Sequence, residues 1–180
     1  MKKMTSFCLL ALMTLPVAAR GAVTVSVTSE IMVKSTLHDF TVKAVSDTVD
    51  VKENEKRLEV AFRIAGMETG NKDRDIDMMR MFRYDDFPFV TGTTNIKAIL
   101  ALDPSAGTAE LPVDIAMHGV FKPVIGKVSN ITKTDSEIVF DLTFPIILND
   151  YKLKPPSVMM IIRVAKVVQV TSRVTVFRSK

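Results

Sequence analysis

From Val23 to the C-terminus, run after run of this chain alternates apolar and polar residues, and that period of two constrains the fold more than any other feature. Val23, Val25 and Val27 point one way with Thr24, Ser26 and Thr28 between them. Leu58, Val60, Phe62 and Ile64 alternate with Glu59, Ala61, Arg63 and Ala65. Leu111, Val113, Ile115 and Met117 share one face, as do Ile138, Phe140, Leu142 and Phe144. Successive strand side chains point to opposite faces, so each run can cover a core on one side and meet water on the other. Turn residues separate the runs, as at 103–107, Lys122-Pro123 and Thr134-Asp135-Ser136. The pattern predicts about eight strands, over 22–36, 40–51, 56–66, 92–102, 108–119, 123–134, 137–145 and 157–178. Long antiparallel strands must pair as two sheets or close into a barrel to protect their edges.

One stretch breaks the rule. Asn71 to Arg83 carries an N-cap residue, acidic Asp73 and Asp75 near its start, and basic Arg80 and Arg83 near its end. Met78, Met81 and Phe82 fall at i, i+3, i+4, with Ile76 and Met79 beside them, which predicts a short amphipathic helix between two strands. A helical turn is expected near Asn149 to Leu153, before Pro155-Pro156. In the last run, Val164, Val168, Val170, Val174 and Val176 form the inward face, yet Lys166 falls in phase with them. Either a bulge resets the phase there or Lys166 snorkels to a barrel mouth.

The first 19 residues read as a cleaved export signal. Lys2 and Lys3 precede an uncharged, mostly apolar run from Phe7 to Ala18, followed by small residues suited to cleavage after Ala19, with Gly21 and Ala22 as alternatives. That run is too short to span a bilayer stably as a helix. Removing residues 1–19 takes the lone Cys8 with it and lowers the formal charge from +4 to +2, so neither a disulfide framework nor a nucleic-acid partner is supported. Residues 20–180 then form a single domain, expected in a bacterial periplasm or outside the cell.

Reactive chemistry is sparse. His38 and His118 have no second His or Cys at metal-ligand spacing, and neither a nucleophile elbow nor a glycine-rich phosphate loop is present. The alternating charges of 72–77 read as a solvated helix start, with an Arg74–Asp75 pair at a cavity rim as the sharper version. Eight of the 11 methionines lie in the mature chain; Met78, Met79 and Met81 cluster on the helix, and Met159-Met160 open the last strand. Thioethers fill irregular cores and also adapt to variable apolar ligands.

Four segments together resemble one family. Leu37-His38-Asp39-Phe40, Thr69-Gly70-Asn71 with Arg74-Asp75 and Met78, the segment 117–124 (MHGVFKPV), and the segment 150–157 (DYKLKPPS) are similar, in order, to segments of the YceI-like family. Asp77 stands where that family often has His, Val42 where it often has Gly, and Leu153 where it often has Ile. The resemblance implies an all-β, eight-stranded antiparallel lipocalin-like barrel with a helical insertion. It also implies an exported protein that holds a polyisoprenoid or similar long amphiphile and uses no cofactor, metal or catalytic step. On that reading the tail lies against Val60, Phe62, Ile64, Met78, Met79, Val113, Ile115, Phe140 and Leu142. The head meets a polar rim of His38, Asn71, Arg74, Asp75, His118 and Lys166. Transient membrane contact and a homodimer stay open. So do two other functions: a secreted stress or interaction protein with a self-filled barrel, and redox work on a quinone-like ligand with His38 or His118 as proton donor.

Overall fold

The computed structural model describes residues 23–52, 56–154, 157–158 and 162–178. The expected leader, Pro155-Pro156 and Met159-Met160 lie outside the described residues. In chain order the elements are β1 (Val23–Val33), β2 (Phe40–Val45), β3 (Thr48–Lys52), β4 (Arg57–Arg63), α1 (Lys72–Phe82), β5 (Phe89–Asn95) and α2 (Ile96–Leu100). These are followed by β6 (Ala109–Met117), β7 (Val120–Lys133), β8 (Glu137–Ile147), β9 (Ser157–Val158), β10 (Ile162–Arg163) and β11 (Val167–Arg178). No described helix is long and apolar enough to cross a membrane.

Nine strands form one antiparallel sheet in the order β2-β1-β11-β8-β7-β6-β5-β4-β3. Its two terminal strands, β2 and β3, are consecutive in the chain and separated only by Ser46-Asp47. Ser46 N–H donates to the Val27 carbonyl at 2.9 Å, and Asp47 N–H donates to the Ala61 carbonyl at 2.8 Å. One bent strand therefore leaves β1 at Ser46 and joins β4 at Asp47, curling the sheet onto itself. Lys43 and Glu68 exchange two further backbone bonds of 2.8 and 2.9 Å, which cover the free edge of β2. Counted with β2 and β3 as one bent stave, the barrel has eight, as the alternation asks.

The burial pattern follows the sequence period closely. Ile138, Phe140, Leu142, Phe144 and Ile146 of β8 are buried, and the residues between them are not. The same holds for Leu111, Val113, Ile115 and Met117 of β6.

Several boundaries differ from the periodic reading, and the turn expected at Lys122-Pro123 falls instead at His118-Gly119, so the strand expected from 123 starts at Val120. The expected strand 92–102 begins at Phe89 and gives way at Ile96 to α2. Asn95 caps that helix by accepting from Lys97 N–H at 2.9 Å, and Ile96 and Ile99, at helical spacing, are buried. The strand expected over 56–66 ends at Arg63, and a 3-10 turn occupies Ile64–Gly66. The long last run breaks into β9, β10 and β11, and Lys166 sits exposed at the bend before β11. The phase is thus reset by an interruption of the strand, and Lys166 faces solvent while its carbonyl accepts from Leu148 N–H at 2.8 Å. The expected turn after β8 is a 3-10 turn over Leu148–Tyr151.

Candidate functional site

Because β4 and β5 are antiparallel neighbours, the segments joined to their opposite ends lie at opposite ends of the barrel. α1 connects the Arg63 end of β4 to the Phe89 end of β5, whereas α2 follows Asn95, which pairs with Arg57. Ile96, Ile99 and Leu102 are buried in the common core, and Lys133 Nζ donates to the carbonyls of Leu100 and Leu102 at 2.8 and 3.0 Å. The α2 end is therefore packed shut. Toward the α1 end the barrel encloses a cavity of about 520 Å³, within the range of small-molecule sites.

The wall is largely aliphatic and aromatic. Val33, Phe40, Val168 and Ile146 form one level near the mouth; Ile31, Val42, Val170 and Phe144 form the next, as the strand register dictates. On the facing strands Val60 and Phe62, Val90 and Gly92, and Val113 and Ile115 complete it. Gly92 opens the wall, since a Cβ there would meet Ile115 and Val113 only at ordinary contact distances of 3.6 and 3.7 Å. The helix contributes one stripe: Arg74, Asp77, Met78, Met81 and Phe82 all border the cavity, at the i, i+3, i+4, i+7, i+8 spacing of a single helical face. Asp77 also pairs with Arg80 at 3.3 Å on the exposed side.

Of the residues expected against a tail, Val60, Phe62, Met78, Val113, Ile115 and Leu142 border the cavity. The other three lie elsewhere. Ile64 is fully buried in the 3-10 turn, where its N–H donates to the Pro88 carbonyl at 3.0 Å and the strand phase has ended. Phe140 points inward but one position past Leu142, in the packed end. Met79 lies off the helical stripe and packs half-buried against the core.

The expected polar rim divides in the same way. His38 and Arg74 border the mouth, with the Arg74 guanidinium 4.1 Å from the centre of the Phe40 ring. Asn71 is the N-cap of α1, its Oδ1 accepting from Arg74 N–H at 3.1 Å. Asp75 turns away from Arg74 and accepts from Thr69 N–H at 2.8 Å and Thr69 Oγ1–H at 2.6 Å. The expected Arg74–Asp75 pair is therefore replaced by two unrelated roles, and Gly70 with φ of 75° supplies the turn between Thr69 and the Asn71 cap. His118 and Gly119 have φ of 50° and 71° and form the two-residue turn between β6 and β7, a geometry matched to hairpin twist. His118 Nδ1 lies 3.1 Å from the Tyr151 carbonyl and its ring meets Phe87 edge-on at 5.0 Å, away from the cavity wall. Among the described residues no hydrogen bond links it to His38. Lys166, on its exposed bend, is not part of the rim either.

Further residues complete the wall. Phe40 stands out in the sequence only as part of a motif, and Met81 and Phe82 only as apolar positions of the helix. Ser29 and Ser172 had a subtler signal, because each is the one hydroxyl in an otherwise aliphatic inward phase. Thr94 lines the wall as well, with its hydroxyl committed to the Pro112 carbonyl at 2.7 Å.

Comparison with known proteins agrees with this architecture. A model of the YceI-like domain matches residues 17–176. No curated protein sequence matches. Among solved structures, a polyisoprenoid-binding domain from Saccharophagus degradans implicated in plant cell wall breakdown is similar with a TM-score of 0.63 at 13% identity, covering 88% of this chain and 100% of its own. BcnA from Burkholderia cenocepacia is similar with a TM-score of 0.58 at 14% identity, covering 82% of this chain and 95% of its own. A YceI protein from Campylobacter jejuni gives 0.53 at 16% identity, covering 82% and 85%. At these identities the likeness speaks for the fold, while the match to the family model spans nearly the whole sequence. The chain belongs to the YceI-like domain family.

Proposed function

We propose that the protein is an exported carrier that holds a polyisoprenoid or similar long-chain amphiphile, tail in the barrel and head at the α1 rim, without a catalytic step. The observation that carries this reading is incomplete burial on the inward faces near α1. Ile31, Phe40, Phe62, Met78, Met81, Val90 and Val170 point into the barrel yet remain half-buried, because they border the cavity rather than one another. A self-filled barrel would close these side chains against each other at native packing density. A tail would cover them instead, gaining roughly 25 cal/mol per Å² of apolar area, less the costs of association and of ordering the chain.

Export rests on the sequence of residues 1–19, which supports a periplasmic or secreted location. The polyisoprenoid-binding description of the Saccharophagus relative is consistent with the ligand class. At the mouth, Arg74 makes no ion pair among the described residues and is held over Phe40, so its charge is available to an acidic head group.

Uptake of the lipophilic dye N-phenylnaphthylamine by the mature chain tests the reading. Phe62→Asp places a carboxylate in the lumen, where burial without a partner is costly. Dye uptake lost in a variant with unchanged circular dichroism supports the carrier; undiminished uptake in that folded variant removes the cavity assignment.

A further inference from the structure

We propose that Ser29 and Ser172 form a subsite, deep in the cavity, for a neutral oxygen carried on the buried part of the ligand. This rests on the carrier reading and narrows its ligand class to chains bearing a carbonyl or hydroxyl. Both serines border the cavity, and each is only 4% exposed. Apart from Tyr151 in the packed 3-10 turn, they are the buried residues with a polar side-chain group among those described. Directly opposed across β1 and β11, they bring their hydroxyl oxygens to 2.8 Å.

Hydroxyl chemistry leaves that pair incomplete. Each serine offers one O–H donor and two acceptor lone pairs, and one donor is consumed within the pair. The second O–H has no protein acceptor among the described residues. The other deep wall hydroxyl, on Thr94, is already committed to backbone. A donor left unmet in an apolar lumen is costly, so an unfunctionalised hydrocarbon lying there would leave that cost in place. A carbonyl or hydroxyl oxygen would remove it.

Two features fix the kind of group that fits. On the side of Ser29 away from Ser172, its neighbour in register is Ala44 of β2. Three adjacent staves therefore carry small side chains at one level, which gives local width for an oxygen substituent. That level is four residues below Phe40 and Val33, or about 13 Å of strand. The charged or ionisable wall residues are His38, Arg74 and Asp77, all at the mouth. A charged group at the serine level would have no counter-ion, so the deep oxygen is neutral and any ionised head stays at Arg74.

Displacement of N-phenylnaphthylamine from the mature protein by stearate, by stearate with a mid-chain ketone, and by stearate with a ketone beside the carboxylate tests this. The mid-chain ketone is expected to compete about threefold to tenfold better than plain stearate, the worth of one neutral hydrogen bond. The ketone beside the carboxylate should show no such gain. In Ser29→Ala/Ser172→Ala the preference for the mid-chain ketone over plain stearate, measured within that variant, should vanish. Ser172→Ala alone should keep it, because one hydroxyl still donates. Ser29→Val/Ser172→Val, which restores the aliphatic pattern of both strands, gives the same reading if the alanine pair folds poorly. Equal competition by the chains in the native protein, or a preference that survives loss of both hydroxyls, overturns the subsite. Failure of every chain to displace the dye counts against the carrier reading itself.

Discussion

Arg74 holds its guanidinium 4.1 Å above the ring of Phe40, so the helix that caps the cavity is tied to the first residue of the strand that closes the barrel. Arg74 stands at the start of the lumenal stripe of α1, and Phe40 pairs with Val33 at the mouth. The contact places a cation where chain and solvent meet, the position in which a tail-in amphiphile would leave its head.

Arg74→Ala should therefore weaken stearate about tenfold, the scale of a charge-assisted contact, and leave a neutral chain such as stearyl alcohol nearly unchanged. The lost cation–π contact should cost stability only about 0.5–1 kcal/mol. Competition of each chain against the bound dye checks the difference. Equal weakening of both would mean that Arg74 shapes the mouth without reading charge.

Gly92→Leu should empty the protein of ligand without unfolding it. A Cβ fits at this position, and the remaining side chain must enter the lumen beside Ile115 and Val113. Dye uptake should fall by more than about tenfold while the urea midpoint stays the same or rises, since glycine within a strand is unfavourable. A variant that still fills with dye would place the bound molecule elsewhere.

The motif around α1 separates into structure and site. Asn71 caps the helix and Asp75 ties Thr69 to it, whereas Arg74 faces the mouth. Asn71→Ala should thus cost about 1 kcal/mol in denaturant unfolding, as the loss of a cap does, with chain affinity preserved. An affinity loss larger than the stability loss would return Asn71 to the rim.

This division marks how far the sequence could be read. Alternation exposes the eight staves and their inward residues because side-chain direction in a strand depends only on position. It does not say where along the barrel the lumen ends, so Phe140 and Leu142 look equivalent although one is packed and the other lines space. Nor does it place every turn: those at 103–107 and 134–136 are legible, but His118 owes its place to a positive-φ hairpin turn that Lys122-Pro123 masked, and Lys166 to a break in the last strand. α2 was hidden because Ile96, Ile99 and Leu100 directly continue a strand, and only the Asn95 cap separates them. Ser29 and Ser172 were legible as gaps in their aliphatic phases, yet their meeting depends on the register of strands far apart in the chain.

Tyr151 offers a test of the packed base of the last turn. It is 2% exposed, and its hydroxyl has no hydrogen-bond partner among the described residues. Burial, with a smaller push from the negative Asp150, raises its pKa above the ordinary tyrosine value. Above about pH 10 the unfolded chain ionises this phenol while the folded chain resists, so its contribution to stability declines as pH rises. Tyr151→Phe should leave the urea midpoint at neutral pH equal or higher. It should also reduce the fall in midpoint above about pH 10. An identical fall in both proteins would show that Tyr151 is not held neutral by burial.

A carrier barrel encloses a ligand, whereas a self-filled barrel encloses only its own side chains. Native mass spectrometry of the mature protein, purified gently from an exporting bacterial host, measures this directly, with Gly92→Leu prepared alongside. The expected result is a lipid adduct on the native protein that is released on collision, identified after extraction as a long oxygen-bearing chain, and missing from Gly92→Leu. A native protein that flies at its bare chain mass, and stays so after incubation with polyprenyl and fatty-chain lipids, would contradict it.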